Sequence, residues 1–546
     1  MGRLPIDAGT ALPGKGAPTG MQLSESARLC VMGLSADIIL TNANVLTLDP
    51  ERPEGRLVVI KDKRILGVGE IDDFRLLKGP GTKVIDCQGK TLVPGFIDAH
   101  CHPLALAAGL LAVDCRPTSV TSISEIQDRI RQQAQRVPDG TWIKAVGYNE
   151  YYLAEKRHPT RWDLDKAAPN HPVKLTHRTG HACVLNSLAL RLAEISSETE
   201  VPSSALMERD LETGEPNGFL VGMNDQVDRA IPPSSQEEKE RGMRLANLQF
   251  VSNGITSIHD ASWTDTFNRW KTLRGLRESG VLQVRVCAMI GTDVFHKLRD
   301  RGFDMLKGDE RLSLGAVKII VDEVSGSLNP PQDELNQLVY EAHESGFQVA
   351  IHCVEQSTVE AAVTAVEEAL KRLPKSDHRH RLEHCSLCPP SLVQRIKSLQ
   401  ALVVTQPLFL YYGGERYLDT VPPEQLPHLY AVGSWVGNGV MVAAGSDTPV
   451  VPLDTMAGIC AAVTRRAQTG QLLGIAQRIS TFQALQMHTS AGAYASFDEE
   501  VKGSISPGKL ADIVLLSDNP TRVLPEALED IQILMTIIDG QIVWEK

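Results

Sequence analysis

Two histidines stand two residues apart at the end of the run GFIDAHCH, His100 and His102. In an extended strand alternate side chains share a face, so both imidazoles leave the backbone on the same side, a two-toothed grip for a divalent metal. An isolated pair of this kind is as readily a surface or packing feature. Its company changes the reading: His352 in VAIHCVE, His384 in RLEHCS and Asp447 in VAAGSDTP each close another apolar run. Four imidazoles and a carboxylate form a nitrogen and oxygen donor set suited to zinc or another divalent transition metal, which would activate water. Lys318, in the middle of AVKIIVD, belongs with them. A free ammonium is costly to bury there, so Lys318 must be paired, shifted or modified. Ordinary pairing would use Asp322, four residues on and on the same strand face, or the nearby Glu323.

Residues so far apart in the chain meet only if the elements carrying them end at one place. Eight apolar runs qualify as strands: VPGFIDAH ending near His102, then 255–261, 284–290, 316–322, 348–354, 381–386, 401–407 and 440–447. Most are separated by lengths that hold a helix, which predicts an α/β protein with a (β/α)8 barrel whose active site lies at the C-terminal strand ends. The barrel is expected over residues 91–499. Strands one and two are too far apart for an ordinary connection, so an insertion is expected at about 113–250, with WIKAVGYN and PVKLTHR as strands of its own. Short β-runs occupy 36–90 and recur in 500–546, the last pair joined by the hairpin signal Asp539-Gly540. These two segments are expected to form one small β domain from both termini. Residues 1–35, rich in Gly, Pro and Ala, read as a disordered tail without a secretory signal.

Bulk properties narrow the partners. At 546 residues the chain exceeds a single core, which agrees with a barrel plus a satellite domain. A net charge of -12 with no Lys/Arg-rich run argues against nucleic acid, and no stretch approaches the roughly 20 apolar residues that span a bilayer. Ten scattered cysteines suit a reducing compartment, so the expected partner is a small molecule and the expected location cytoplasmic; a homo-oligomer is also expected.

The chain resembles the amidohydrolase superfamily, specifically the YtcJ-like branch of its amidohydrolase-3 group. The resemblance rests on PGFIDAHCH, GHACVLNSLAL from Gly180, GITSIHDA from Gly254, VKIIVD from Val317, RLEHC from Arg381, GSDTPV from Gly445 and SPGKLADIVLLS from Ser506. It implies that His100, His102, His352, His384 and Asp447 bind one or two Zn(2+) ions, and that the β domain is a composite β-sandwich. By the same resemblance Lys318 is a carboxylated lysine bridging two metals, and His181 faces the substrate as a hydrogen-bond donor or electrophile; capping the following helix is the structural alternative for His181. His259 and Asp260 end strand two and are expected to orient ligand imidazoles. Strand alternation turns Cys101, Cys353 and Cys385 outward as packing groups.

The implied reaction is hydrolysis of an amide or N-acyl C–N bond by metal-activated water, with Asp447 moving the proton and Asp322 and Glu355 lining the substrate. Two positions depart from the branch. His352-Cys-Val-Glu355 stands where the branch often has H-x-x-G-D, and VDEVSGS follows Lys318 where a D-G pair is usual. The first resembles the H-x-x-E of mononuclear deaminases, so the alternative is a one-metal deaminase of a cyclic amidine using Glu355. A non-catalytic binding protein on the same fold is the contrasting class.

Overall fold

The computed structural model describes residues 35–546 apart from 71–76, 203–204, 293, 301–304 and 325, so nearly all of the expected tail lies outside the described residues. Eight parallel strands form one sheet: β1 (Phe96–Cys101), β2 (Ile255–Asp260), β3 (Arg285–Gly291), β4 (Leu312–Ile320), β5 (Val349–Cys353), β6 (Arg381–His384), β7 (Leu402–Thr405) and β8 (Val442–Ala444). Each pairs with its neighbour in chain order. Residues beyond β8 bring it back to β1, where the Asp447 N–H donates to the His100 carbonyl at 2.7 Å and the His102 N–H to that of Thr448 at 2.9 Å. The approach is so close that a Cβ on Gly445 would lie 2.6 Å from the His100 Cβ, which is why glycine stands there. The result is a (β/α)8 barrel of the TIM type.

These strands read as almost unbroken apolar runs because both faces are covered. Outward Val349, Ile351 and Cys353 of β5 join Val359, Ala362 and Val366 of the helix Gln356–Arg372 in the main core. Inward Ala316 and Ala350 pack with Ala261 and Met289 inside the barrel and share the parity of Lys318 and His352.

Between β1 and β2 lies the insertion, a six-stranded sheet in the order Leu206–Arg209, Pro216–Val221, Ala182–Leu185, Val173–His177, Ile143–Tyr148 and Val113–Asp114. Its own core includes Ile126, Ile143, Leu164, Val173 and Val184.

Strands from both termini make the β-sandwich. Ile513–Leu516, from the C-terminal part, runs antiparallel between Thr91–Pro94 and Ile533–Ile538. The six-stranded sheet they build faces a four-stranded one across Leu40, Val45, Val58, Ile60, Ile513 and Ile537. Asp539 and Gly540, both at positive φ (52° and 69°), form the two-residue turn that joins Ile533–Ile538 to Gln541–Glu545, as the Asp-Gly pair predicts.

Candidate metal centre

The sixfold set gathers at the C-terminal mouth of the barrel. One oxygen of Asp447, Oδ1, lies 3.5 Å from His100 Nε2 and 3.2 Å from His102 Nε2. His100, His384 and Asp447 bring one ligand atom each to within 4.8 Å of one another. The His384 ring centroid is 4.7 Å from that of His100 and 4.5 Å from that of His352, so the imidazoles form a continuous arc. Lys318 is buried beside them, and its Nζ has no hydrogen-bond partner among the described residues. Two of these residues have left-handed backbone, His384 (φ +70°) and Asp447 (φ +57°). Non-glycine residues adopt it at a cost of order 1 kcal/mol or more, and here it turns side chains at strand ends into the mouth.

Lys318 and Asp322 do not pair. An unbroken strand would put them on one face, but β4 ends at Ile320, and Asp322–Val324 forms a separate antiparallel ribbon with Ser327–Asn329. Asp322 turns instead to His352, with Oδ1 3.5 Å from Nε2, while Glu323 accepts a hydrogen bond from the Ser357 hydroxyl.

Three imidazoles have their Nδ1 engaged, leaving Nε2 for the centre. Glu383 accepts from His100 Nδ1, Gln406 Oε1 accepts from His384 Nδ1 at 2.8 Å, and the Ser262 hydroxyl meets His102 Nδ1 at 3.2 Å. Burial holds His100, His352 and His384 toward the neutral form, the one that binds metal. Burial likewise pushes the Lys318 amine down from its usual range, with the Glu383 and Asp447 carboxylates opposing. For Asp447 burial pushes the carboxyl up, but the hydrogen bond from His102 and the neighbouring imidazoles outweigh it and the carboxylate is favoured. Behind His100, Asp98 accepts the Ser446 hydroxyl and N–H at 2.5 and 2.9 Å; burial still pushes its carboxyl up to about 6.

Glu383 and Gln406 are the partners that motif reading did not find. Arg381 anchors Glu383, donating from Nε to Oε1 at 2.7 Å and from a terminal nitrogen to the Ala99 carbonyl at 2.7 Å. His259 was expected against a ligand imidazole; the structure places its Nδ1 3.0 Å from Arg381 instead. Asp260 reaches His102 at one remove, accepting the Ser262 hydroxyl at 2.6 Å.

The substrate-side residues are arranged around this arc. His181, on the loop between Val173–His177 and Ala182–Leu185 of the insertion, stacks on Trp263 with centroids 6.2 Å apart and lies 6.3 Å from the His352 ring. It does not cap the following helix, since Asn186 accepts the Ala189 N–H there. Glu355 is the N-cap position of Gln356–Arg372, with a carboxylate oxygen 3.5 Å from the Thr358 hydroxyl; burial, Asp322 and Glu323 push its carboxyl up.

The sequence profile of the Amidohydrolase family matches residues 83–544. The chain is 29% identical over 539 residues to the N-substituted formamide deformylase of Arthrobacter pascens, covering 93% of this chain and 98% of that protein. It is 27% identical over 529 residues to the protein called "Putative amidohydrolase YtcJ" of Bacillus subtilis (strain 168), covering 92% and 98%. The crystal structure of an uncharacterized metal-dependent hydrolase from Pyrococcus horikoshii OT3 superposes with a TM-score of 0.71 at 22% identity, covering 89% of this chain and 99% of that one, and shares the fold.

Proposed function

Since the chain belongs to the amidohydrolase family, in its YtcJ-like branch, and is a metal-dependent hydrolase of carbon–nitrogen bonds, we propose that it cleaves a non-peptide amide or N-acyl bond at a centre of one or two zinc ions. The holders would be His100, His102, Lys318, His352, His384 and Asp447. The observation that carries this reading is the donor set itself: neutral imidazoles with Nδ1 engaged elsewhere, a carboxylate among them and a buried lysine amine without a partner. A buried, unpaired amine held toward neutrality suits a carboxylated lysine, since carbamate formation needs the free amine. When bound, a divalent ion supplies polarisation of the carbonyl and a water whose pKa falls to about 7.

The protein's own groups do the rest. Asp447, within 3.5 Å of two imidazoles, takes a proton from the attacking water and gives it to the departing nitrogen as the C–N bond breaks. His181 donates to the substrate carbonyl oxygen from the insertion side, and Trp263 fixes its ring plane. Asp322, with Oδ1 3.5 Å from His352 Nε2, and Glu355 line the substrate. The deaminase alternative asks Glu355 to carry the proton, yet Glu355 stands at its own helix N-terminus beside Thr358 rather than within the imidazole arc. A cytoplasmic location and assembly as a homo-oligomer complete the reading; no helix among the described residues is long and apolar enough to cross a membrane.

The test is metal analysis and turnover of a panel of N-formyl and N-acetyl amines with wild type, His100→Ala and Asp447→Asn. Loss of metal in His100→Ala and loss of turnover in a metal-replete Asp447→Asn are expected. Full activity in either variant would overturn the assignment, and ammonia release from a cyclic amidine with no amide turnover would favour the deaminase.

A further inference from the structure

A cleft of about 260 Å3 lies beside the centre, between the insertion and the helix Pro407–Thr420. Three observations join it to the centre. Phe409 lines it and stacks nearly parallel (7°) on the His384 ring at 6.4 Å. Pro449 and Val450, on its wall, follow Asp447 by two and three residues. Arg178, also on its wall, precedes His181 by three residues on the same hairpin.

The cleft is aromatic and cationic. Of its three arginines, Arg116 is neutralised by Asp114, with contacts of 2.7 and 3.0 Å. Arg178 is not. Among the described residues its side chain makes no ion pair, and its buried Nε has no hydrogen-bond partner. The nearby carboxylate of Glu150 is occupied by His177 at 2.9 Å. Arg416, whose guanidinium is 4.4 Å from the Tyr417 ring centroid, likewise makes no ion pair among the described residues, of which Glu415 is the single carboxylate on the wall. Burial disfavours the charged form of Arg178, and the Arg416 charge adds to the penalty. Two like charges facing one small cleft, one of them largely buried and unsatisfied, are a state that an anion between them would relieve. A guanidinium offers paired donors matched to a carboxylate, and the aromatic walls suit a short apolar body.

We propose that the substrate carries a carboxylate at the end remote from the scissile bond, bound by Arg178 with Arg416, and that the aromatic cleft holds the short apolar body linking this carboxylate to the amide. The proposal rests on the amide-hydrolase reading for where the scissile bond sits, but the anion site itself is measurable without turnover.

Chelator-treated full-length protein is titrated by calorimetry with 3-phenylpropionate and with its neutral counterpart 3-phenylpropanamide. The carboxylate is expected to bind at least roughly tenfold more tightly, the contribution of a charge-assisted hydrogen bond. Arg178→Met should erase the preference and Arg178→Lys should keep part of it. If Arg178→Met does not fold, as judged by circular dichroism, Arg416→Met reads the same preference from the helix side. Equal binding of the two probes, or an undiminished preference in the variants, overturns the proposal; tighter binding of phenyl phosphate than of 3-phenylpropionate overturns the carboxylate assignment. With metal-loaded enzyme, the ratio of kcat/KM for 4-(acetamidomethyl)benzoate, whose ring links the amide to a remote carboxylate, to that for N-acetylbenzylamine should fall roughly 10- to 100-fold in Arg178→Met. If no amide is turned over at all, the hydrolase reading fails while the calorimetry still decides the anion site.

Discussion

Glu383 meets His100 with one oxygen and accepts from Arg381 on both, and the guanidinium is tied in turn to Ala99 and His259, so the His100 ring is fixed from behind by a fully buried chain. Removing the negative charge while keeping the shape isolates that function. Glu383→Gln should lower zinc affinity about 10- to 100-fold, the usual cost of losing a carboxylate behind a ligand imidazole. Chelator competition measures it; an unchanged affinity would mean that His100 is positioned by the strand alone. Lys318 gives a second prediction at this scale. If it is a carboxylated bridge, Lys318→Ala should hold at most one metal, and short carboxylic acids should restore part of the activity by standing in for the carbamate. Two metals in an active Lys318→Ala protein would defeat the bridge.

The elements decide which of these residues could be read in advance. Histidines and an aspartate at the ends of apolar runs were visible because a strand's parity and the barrel's directionality together say where a polar strand end must point. Glu383 was not: nothing in RLEHCS says that β6 sets its carboxylate against His100 of β1, because that contact depends on barrel closure and stagger. The Lys318 and Asp322 pair failed for a related reason, since parity holds only while the strand continues and β4 stops between them. Arg178, in THRTG, reads from the sequence as no more than a weak candidate beside His177, an ordinary polar residue at a strand end, because the insertion docks over the mouth by contacts that no local pattern encodes. A different histidine chain, at the opposite end of the strands, carries an element-scale prediction. His343 Nδ1 and His380 Nε2 are 2.9 Å apart, the Val349 N–H donates to His380 Nδ1, and the His380 N–H donates to His378 Nδ1. Burial, reinforced by the charges of His378, His343 and Lys375, holds His380 well below its usual range. A histidine kept neutral by the fold contributes stability that is present above its unfolded pKa of about 6.5 and is lost as pH falls below it. Denaturant titrations should therefore show unfolding free energy declining below about pH 6.5. In His380→Gln the slope there should flatten by up to about 1.4 kcal/mol per pH unit, and an unaltered slope would remove His380 from the acid response.

At the scale of the molecule, the sandwich and the barrel are clasped at the end remote from the metal centre. Arg285, the first residue of β3, donates from Nε and a terminal nitrogen to Asp512 at 2.6 and 2.9 Å and also contacts Asp539, all three being buried. Asp512 closes the arrangement through its carbonyl, which accepts the Gly95 N–H at 2.8 Å just before β1 begins. One guanidinium thus joins a barrel strand to two C-terminal segments, at the face where barrels invest in stability rather than chemistry. Arg285→Ala would leave the Asp512 carboxylate, among the described residues, with only the Asp539 N–H, at 3.0 Å, while Asp539 keeps Arg311 at 2.5 Å. A buried carboxylate stripped of its counterion typically destabilises by about 3 to 5 kcal/mol. The pH response should change as well. In the wild type burial pushes the Asp539 carboxyl up, but Arg285, Arg311 and Lys63 outweigh it and the net direction is down. Asp539 therefore contributes stability above its unfolded pKa of about 3.9 that is lost as pH falls through the folded value. That contribution shrinks in Arg285→Ala, so the loss of stability below about pH 4 should be shallower than in the wild type. Metal content per folded chain should stay the same, because the centre is at the other end of the strands. Calorimetric unfolding across pH, paired with metal analysis of the folded fraction, tests both halves. A variant that keeps its stability would show the clasp to be dispensable, and one that loses metal while still folded would show that the two ends of the barrel are coupled.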